Sequence, residues 1–356
     1  MQQSITEPPV YLGFAQSLAS SELFRLRSHY LPLGKIGGLP SWLNPVTLPK
    51  NEELECGVCK KPLCFLMQVY ATRDDDPPHS FHRYLYVFIC RNPACSQLQD
   101  ASNIAVFRCA LPRENPYYLT DRSLDPDLDG DIANPIQTET PKLCEICGCY
   151  ASKKCGKCMK SCCENGTSLS NDTTQNKFLF PEMGIEMDQE FAPQSLFEES
   201  LDSDASDGDS DDGEIEQNRR ISEFKKFVEQ HQEQGDIANN CEEYEEKADK
   251  DLDFIRFNRF VELNPGQVLR YLRGGKPLLT TIRAPALPDI IDCGHCGGPR
   301  TFEMQLMPHL LSLLGVDSVG QSIDWASVYI YTCANSCMVP HSGYAKEFVV
   351  KQDFID

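Results

Sequence analysis

Two distant stretches of this chain repeat one pattern in one register, and that repeat constrains the fold more than any other feature. The first copy runs Gly37-Gly38-x-Pro40, then Cys56-x2-Cys59-x2-Pro62-x2-Phe65-x2-Gln68. The second runs Gly274-Gly275-x-Pro277, then Cys293-x2-Cys296-x2-Pro299-x2-Phe302-x2-Gln305. The spacer from proline to first cysteine is 15 residues in both. The copies also close alike, with Tyr86-x-Phe88-x-Cys90-x-Asn92-x2-Cys95 matching Tyr329-x-Tyr331-x-Cys333-x-Asn335-x-Cys337. Repeated sequence predicts repeated structure.

Each copy supplies two cysteine pairs, the spacing by which two turns present four thiolates to a tetrahedral zinc at about 2.3 Å. Cys56, Cys59, Cys90 and Cys95 make one set, and Cys293, Cys296, Cys333 and Cys337 the other. Four protein ligands leave no position for water or substrate, so both sites are expected to be structural. Each zinc would tie two turns across 30 or 36 intervening residues, contributing on the order of 10 kcal/mol to folding. His79 or His82 could replace a cysteine, but the strand-like surroundings of His82 favour packing. Cys64, Cys109 and Cys241 fall outside every pair and are expected to be packing or surface thiols.

The 18 cysteines would suggest disulfides in a secreted chain. The N-terminus, MQQSITEPPVYLGF, has neither a basic nor an apolar signal region, so the thiols are expected to stay reduced and to bind metal. No apolar run reaches the roughly 18 residues of a membrane span.

A length of 356 residues with 41% hydrophobic content allows two or three domains and a sizeable core. The predicted class is mostly β with some α: two zinc-stapled β modules forming one bipartite core, interrupted by a small finger and a disordered acidic linker. Residues 1–118 form the N-terminal half, with Tyr84–Ile89 its strongest strand. Residues 120–141 are turn-rich linker. Residues 141–165 hold the finger, where Cys144, Cys147, Cys155 and Cys158 are the simplest third zinc set and Cys162 or Cys163 could substitute. Residues 166–218 are the linker, too poor in apolar residues to pack.

Residues 219–356 contain helices and the C-terminal half. Ile221, Phe224, Phe227 and Val228 lie at helical spacing, as do Leu252, Ile255, Phe257, Phe260 and Val261, a helix that Pro265 should end. Asn264 is expected to cap a third, short helix carrying Val268, Leu269 and Leu272, stopped by Gly274-Gly275.

Residues 178–218 carry 14 acidic side chains and no Lys or Arg, and removing them from the formal net charge of −20 leaves −6 for the rest. Such a chain repels a phosphate backbone, which disfavours direct nucleic-acid binding. An acidic arm suits a basic protein partner, or is simply a solvated tether. No Ser-His-Asp or Cys-His set is legible, and the Gly34, Gly37 and Gly38 cluster lacks the context of a phosphate loop, so a non-enzymatic protein is expected. Ser206, in an acidic context, is the one cue for phosphorylation. Trp42 and Trp325 are either core residues or anchors for a partner held between the halves.

The runs VYLGFAQ, KIGGLPSWL, CGVCKKPLCFLMQVYA, FHRYLYVFICRNPAC, LRYLRGGKPLL, FEMQLMPHLLSLL, SIDWASVYIYTCANSC and FVVKQDF resemble the programmed cell death protein 2 family over roughly residues 10–118 and 250–356. CEICGCYASKKCGKC resembles the MYND finger of that family's finger-bearing branch, without its further Cys and His ligands. The resemblance implies a dedicated chaperone; a cytoplasmic monomer is expected, and whether it shuttles to the nucleus is left open by the sequence. It would capture a newly made basic small-subunit ribosomal protein, the relative of bacterial ribosomal protein five, and support 40S ribosome biogenesis. The runner-up is a MYND-type adaptor in transcription or cell-death regulation, which the missing ligands disfavour.

Overall fold

Tyr84 to Ile89 contain no polar position, the pattern of a strand buried on both faces. In the computed structural model they lie in β4 (His82–Ile89). The structure describes residues 9–19, 23–26, 34–118, 143–144, 147–149, 151, 153–154, 161–162, 178–190, 251–281, 287–316 and 322–354. The remaining strands are β1 (Tyr11–Gln16), β2 (Lys35–Ile36), β3 (Cys64–Tyr70), β5 (Ile104–Leu111), β6 (Lys153–Lys154), β7 (Ser161–Cys162), β8 (Met183–Gln189), β9 (Gln267–Tyr271), β10 (Arg300–Leu306), β11 (Ser327–Cys333), β12 (Tyr344–Lys346) and β13 (Phe348–Gln352). The helices are α1 (Leu252–Leu263) and α2 (His309–Leu313).

One antiparallel sheet of 11 strands runs β12-β5-β4-β3-β2-β8-β1-β9-β10-β11-β13, and β6 pairs with β7 apart from it. The order is symmetric about its centre: β2-β3-β4-β5 leads one way and β9-β10-β11-β13 the other, with β8 and β1 as the seam. Its two ends, β12 and β13, are separated in sequence by Glu347 alone, whose N–H donates to the Val106 carbonyl at 2.8 Å. One segment therefore serves both edges, and the sheet is nearly closed.

The repeated residues occupy matched places. The β3–β4 register slips between Phe65 and Met67, and the β10–β11 register between Phe302 and Met304. Gln68 faces Tyr86 as Gln305 faces Tyr329. The buried Gln68 Oε1 accepts from the Ser41 N–H at 2.9 Å, and Gln305 Oε1 from the Leu278 N–H at 3.1 Å. Tyr86 and Tyr329 donate their hydroxyls to the carbonyls of the same two residues. The shared Gln and Tyr thus pin the segment after each Gly-Gly-x-Pro turn and satisfy polar groups that burial would otherwise orphan.

The two faces of each strand feed different cores. Leu85, Val87 and Ile89 join Leu66, Leu269, Met304, Leu306, Val328 and Ile330 in a core built from both halves. Tyr86 and Phe88 turn instead to a satellite core with Trp42 and Phe65, and Tyr329 and Tyr331 to another with Phe302 and Val350. Trp42 is 2% and Trp325 1% exposed, so both tryptophans belong to these cores and neither is a surface anchor.

Buried ion pairs cross between the halves. Arg83 of β4 and Glu303 of β10 are both 0% exposed and meet bidentately, with Arg83 Nη2 at 2.7 Å from Glu303 Oε2. Arg273 Nε reaches Glu303 Oε1 at 3.1 Å while its Nη2 holds Asp76 at 3.0 Å. Tyr271 and Thr332 also donate to Glu303. Burial opposes ionisation of Glu303, but Arg83 and Arg273 overcome it and bring the carboxyl down to about 2 from an ordinary 4.5.

Two sequence expectations are corrected. Residues 178–190, assigned to the disordered linker, enter the sheet: β8 pairs with β1 and β2. Averaging acidity over the linker hid the apolar Phe178, Phe180 and Ile185. It also hid that Glu182 and Glu190 are not solvated, since they pair with Lys35 and Arg270. The third helix is instead β9, flanked on both sides by β1 and β10. A short run buried on both faces has no period to distinguish helix from strand. Asn264 instead stands at the C-terminal cap of α1, and its carbonyl, with that of Phe260, accepts from the Gln267 side chain. The two halves share one sheet, in keeping with the single bipartite core expected, since β1 pairs with β9 of the other half and β12 with β5. Helix α1 agrees with expectation, capped by Asp251, whose carboxylate accepts from the Phe254 N–H at 3.0 Å. The expected helix at 221–228, the linker at 120–141 and the acidic run from 191 to 218 lie outside the described residues.

Two outcomes follow from these crossings. A fragment of residues 1–118 would bury Arg83 and Arg108 without their carboxylates, so it should be insoluble or unfolded; a dispersed amide NMR spectrum from it would overturn the single-core architecture. Glu303→Gln should cost about 3–5 kcal/mol by leaving Arg83 buried beside a neutral partner. Because the folded carboxyl titrates below its unfolded value, that stability is complete above about pH 4.5 and lost toward pH 2. Denaturant midpoints of wild type and variant should therefore converge on acidification through that window.

Candidate metal centres

Both tetrads are built on the same turn. The Cys56 N–H donates to the Lys61 carbonyl and the Lys60 N–H to the Cys56 carbonyl; Cys293 with Gly298, and Gly297 with Cys293, repeat this with every distance 2.8 or 2.9 Å. The residue after the second cysteine sits at positive φ, 57° at Lys60 and 67° at Gly297. This conformation turns both sulfurs of the pair to one side. The second pair comes from the strand end: Cys90 follows β4 and Cys333 closes β11. Cys95 is set by a tight turn in which Asn92 Oδ1 accepts from the Ala94 N–H at 3.2 Å.

In each tetrad the four sulfurs lie within 4.8 Å of one another. Cys59 and Cys90 sulfurs are 3.7 Å apart, Cys293 and Cys337 3.7 Å, and Cys296 and Cys333 3.6 Å. A disulfide needs about 2.05 Å, whereas tetrahedral ligands at about 2.3 Å from zinc stand about 3.8 Å apart. Each tetrad can therefore hold a zinc ion, and the two are the groups among the described residues that sequence spacing had assembled. Burial pushes Cys95 up to about 11 and Cys90 higher. Cys296, exposed and receiving the Gly298 N–H at 3.4 Å, falls to about 7. Without a cation most of these thiols hold their protons, so metal entry must release them.

The remaining cysteines divide as expected where they are described. Burial raises Cys64 and Cys109 to about 12, and their sulfurs donate to the Phe178 and Ser342 carbonyls. His79 Nε2 lies 2.9 Å from the Ser336 carbonyl and His82 Nδ1 3.4 Å from the Tyr70 hydroxyl, so neither replaces a cysteine. In the central insert, Cys144 N–H donates to Cys149 O and Gly148 N–H to Cys144 O, at 2.7 and 2.8 Å, reproducing the tetrad turn a third time. Cys144 and Cys147 are buried beneath Trp42, whose Nε1 donates to the Gly148 carbonyl at 2.8 Å. Cys155, Cys158, Cys163 and Cys241 lie outside the described residues. What sequence reasoning missed is Arg108, which reaches Cys337 from the opposite half and which no local spacing could have indicated.

Family models for programmed cell death protein 2 match this chain twice, the N-terminal domain over residues 9–125 and the C-terminal domain over 251–353. Programmed cell death protein 2 of Bos taurus is 35% identical, covering 98% of this chain and 97% of its own. Programmed cell death protein 2-like of Mus musculus is 27% identical over 90% of each. A Schizosaccharomyces pombe protein named Probable 20S rRNA accumulation protein 4 is 25% identical over 88% of this chain and 91% of its own. No solved structure matches. No helix among the described residues is long and apolar enough to cross a membrane.

If both tetrads hold zinc, metal analysis of the purified protein should return at least two zinc atoms per chain. Cys56→Ser or Cys293→Ser should abolish cooperative unfolding, because a hydroxyl ligates poorly and structural zinc contributes on the order of 10 kcal/mol. A zinc-free protein with an intact thermal transition would overturn the assignment.

Proposed function

The chain belongs to the programmed cell death protein 2 family, and from that premise we propose that it is a non-enzymatic, zinc-binding chaperone for a basic small-subunit ribosomal protein in 40S ribosome biogenesis. The observation that carries this reading is the near full-length match to a yeast protein named for 20S rRNA accumulation. That name ties a relative to ribosome production, and the client class is this chain's own proposal, supported by charge. A basic, RNA-binding client is matched by a formal net charge of −20, which would speed encounter and disfavour competing nucleic acid.

Two features support a non-enzymatic role. Tetrads with four thiolate ligands leave zinc no open position for a reacting water. The first knuckle of the central insert is packed under Trp42, which leaves it poorly placed to dock a peptide as a MYND-type adaptor would. The protein is expected to act as a monomer in the cytoplasm and to accompany its client toward the nucleus.

The decisive experiment captures the tagged full-length protein from translating cells and sequences the co-purifying messenger RNA. A chaperone of nascent chains should enrich the message of one basic small-subunit ribosomal protein, with enrichment abolished by puromycin. Recovery of transcriptional or cell-death regulators without any such message would favour the adaptor instead.

A further inference from the structure

Arg108 belongs to β5 of the N-terminal half, yet its guanidinium serves the tetrad of the C-terminal half. Its side chain is 0% exposed. Nη2 donates to Cys337 Sγ at 3.5 Å and Nη1 to the Cys337 carbonyl at 3.1 Å. Nε is anchored on Glu347 Oε1 at 2.7 Å, while Arg300 holds the other oxygen of that carboxylate at 2.9 Å. Glu347 is the residue between β12 and β13 where the sheet closes.

The turn that carries Cys337 is held by the N-terminal half throughout. Ser336 adopts φ 41°, a conformation that costs a non-glycine residue of order 1 kcal/mol. Its hydroxyl donates to Asp76 at 3.2 Å, and its carbonyl receives His79 at 2.9 Å and Ser80 at 3.4 Å. At the first tetrad the corresponding turn is set locally by Asn92. The contacts of that loop with the other half come from Ser96 and Gln99, beyond its last cysteine.

We propose that the second metal site is completed in trans: Arg108 is a positioning residue that fixes Cys337 and offsets the charge of the metal-bound thiolates, so metal retention there depends on closure of the sheet. Four thiolates around a divalent ion carry net negative charge, and an N–H···S contact from a buried cation offsets it. Among the described residues, the ion pairs of Arg83, Arg273 and Arg300 do not reach the sulfurs of the first site. This inference rests on the reading that the tetrads hold metal.

The test uses full-length protein loaded with cadmium-113, whose two tetrathiolate resonances are assigned through bonds to the cysteine β-protons. Arg108→Lys should move the second-site resonance alone and weaken metal retention there against a chelator by about 10- to 100-fold. Glu190→Gln weakens the buried pair with Arg270 without touching Arg108, so it should lower stability while leaving the second resonance close to its wild-type position. An Arg108→Lys spectrum with neither resonance moved, or both moved alike, overturns the proposal, as does Glu190→Gln reproducing the whole effect. Should the variants fail to fold, the wild-type spectrum decides. A correlation from an arginine guanidinium proton to the second cadmium supports the contact, and its absence overturns it. Wild-type protein lacking both resonances would instead overturn the metal reading, and this inference with it.

Discussion

The bidentate pair between Arg83 and Glu303 is the interaction on which the rest of the molecule depends. The two residues are 220 positions apart in sequence, and neither exposes any surface. A buried ion pair adds little over a well-packed apolar pair, but isolating one partner costs about 3–5 kcal/mol. Its importance is thus one of obligation rather than net stability. Arg83 is a buried charge of one half whose carboxylate is supplied by the other. Arg273, Tyr271 and Thr332 converge on the same carboxylate, which leaves it a single satisfied arrangement.

The near two-fold symmetry of the sheet is broken where this obligation lies. Gln68 and Gln305 perform one task in both copies, as do Tyr86 and Tyr329. Position for position, however, Glu303 corresponds to Leu66 of the first copy, and Arg83 to Ala326 of the second. Conformity to the repeat builds two similar hairpins, while departure from it decides that they form one closed sheet rather than two separate ones. Strands β1 and β8 complete the seam, and β8 does so with residues from the most acidic stretch of the chain. Glu182 and Glu190 become structural there by finding Lys35 and Arg270.

This division explains how much the sequence revealed. The tetrads were legible because their ligands recur at fixed short spacings, and a repeated spacing is visible without knowledge of the fold. The strand at Tyr84–Ile89 was legible from its aromatic and β-branched content. Strand β9 was not, because Val268 and Leu269 lie in a run too short and too uniformly buried to reveal its period. Strand β8 was hidden by its charges, whose partners are distant in sequence. Arg83, Arg108, Glu303 and Glu347 look in sequence like any exposed charges, since burial of a charge is a property of the tertiary partner and leaves no local mark.

The same contrast in sequence separation orders the assembly of the fold. The cysteines of a tetrad span at most 44 positions, so a metal ion could staple each hairpin as soon as that stretch is available. The ion pairs and hydrogen bonds that cross the halves span 197 to 300 positions. Loop-closure entropy delays contacts of such separation, and they form late. Until then the N-terminal hairpin holds Arg83 and Arg108 without their carboxylates, and the edge of β5 lacks β12. Tyr344 to Gln352 must arrive to satisfy that edge, to supply Glu347 and to seat Arg108 against Cys337. The last ordered segment of the chain is therefore the one that converts two stapled hairpins into a single core.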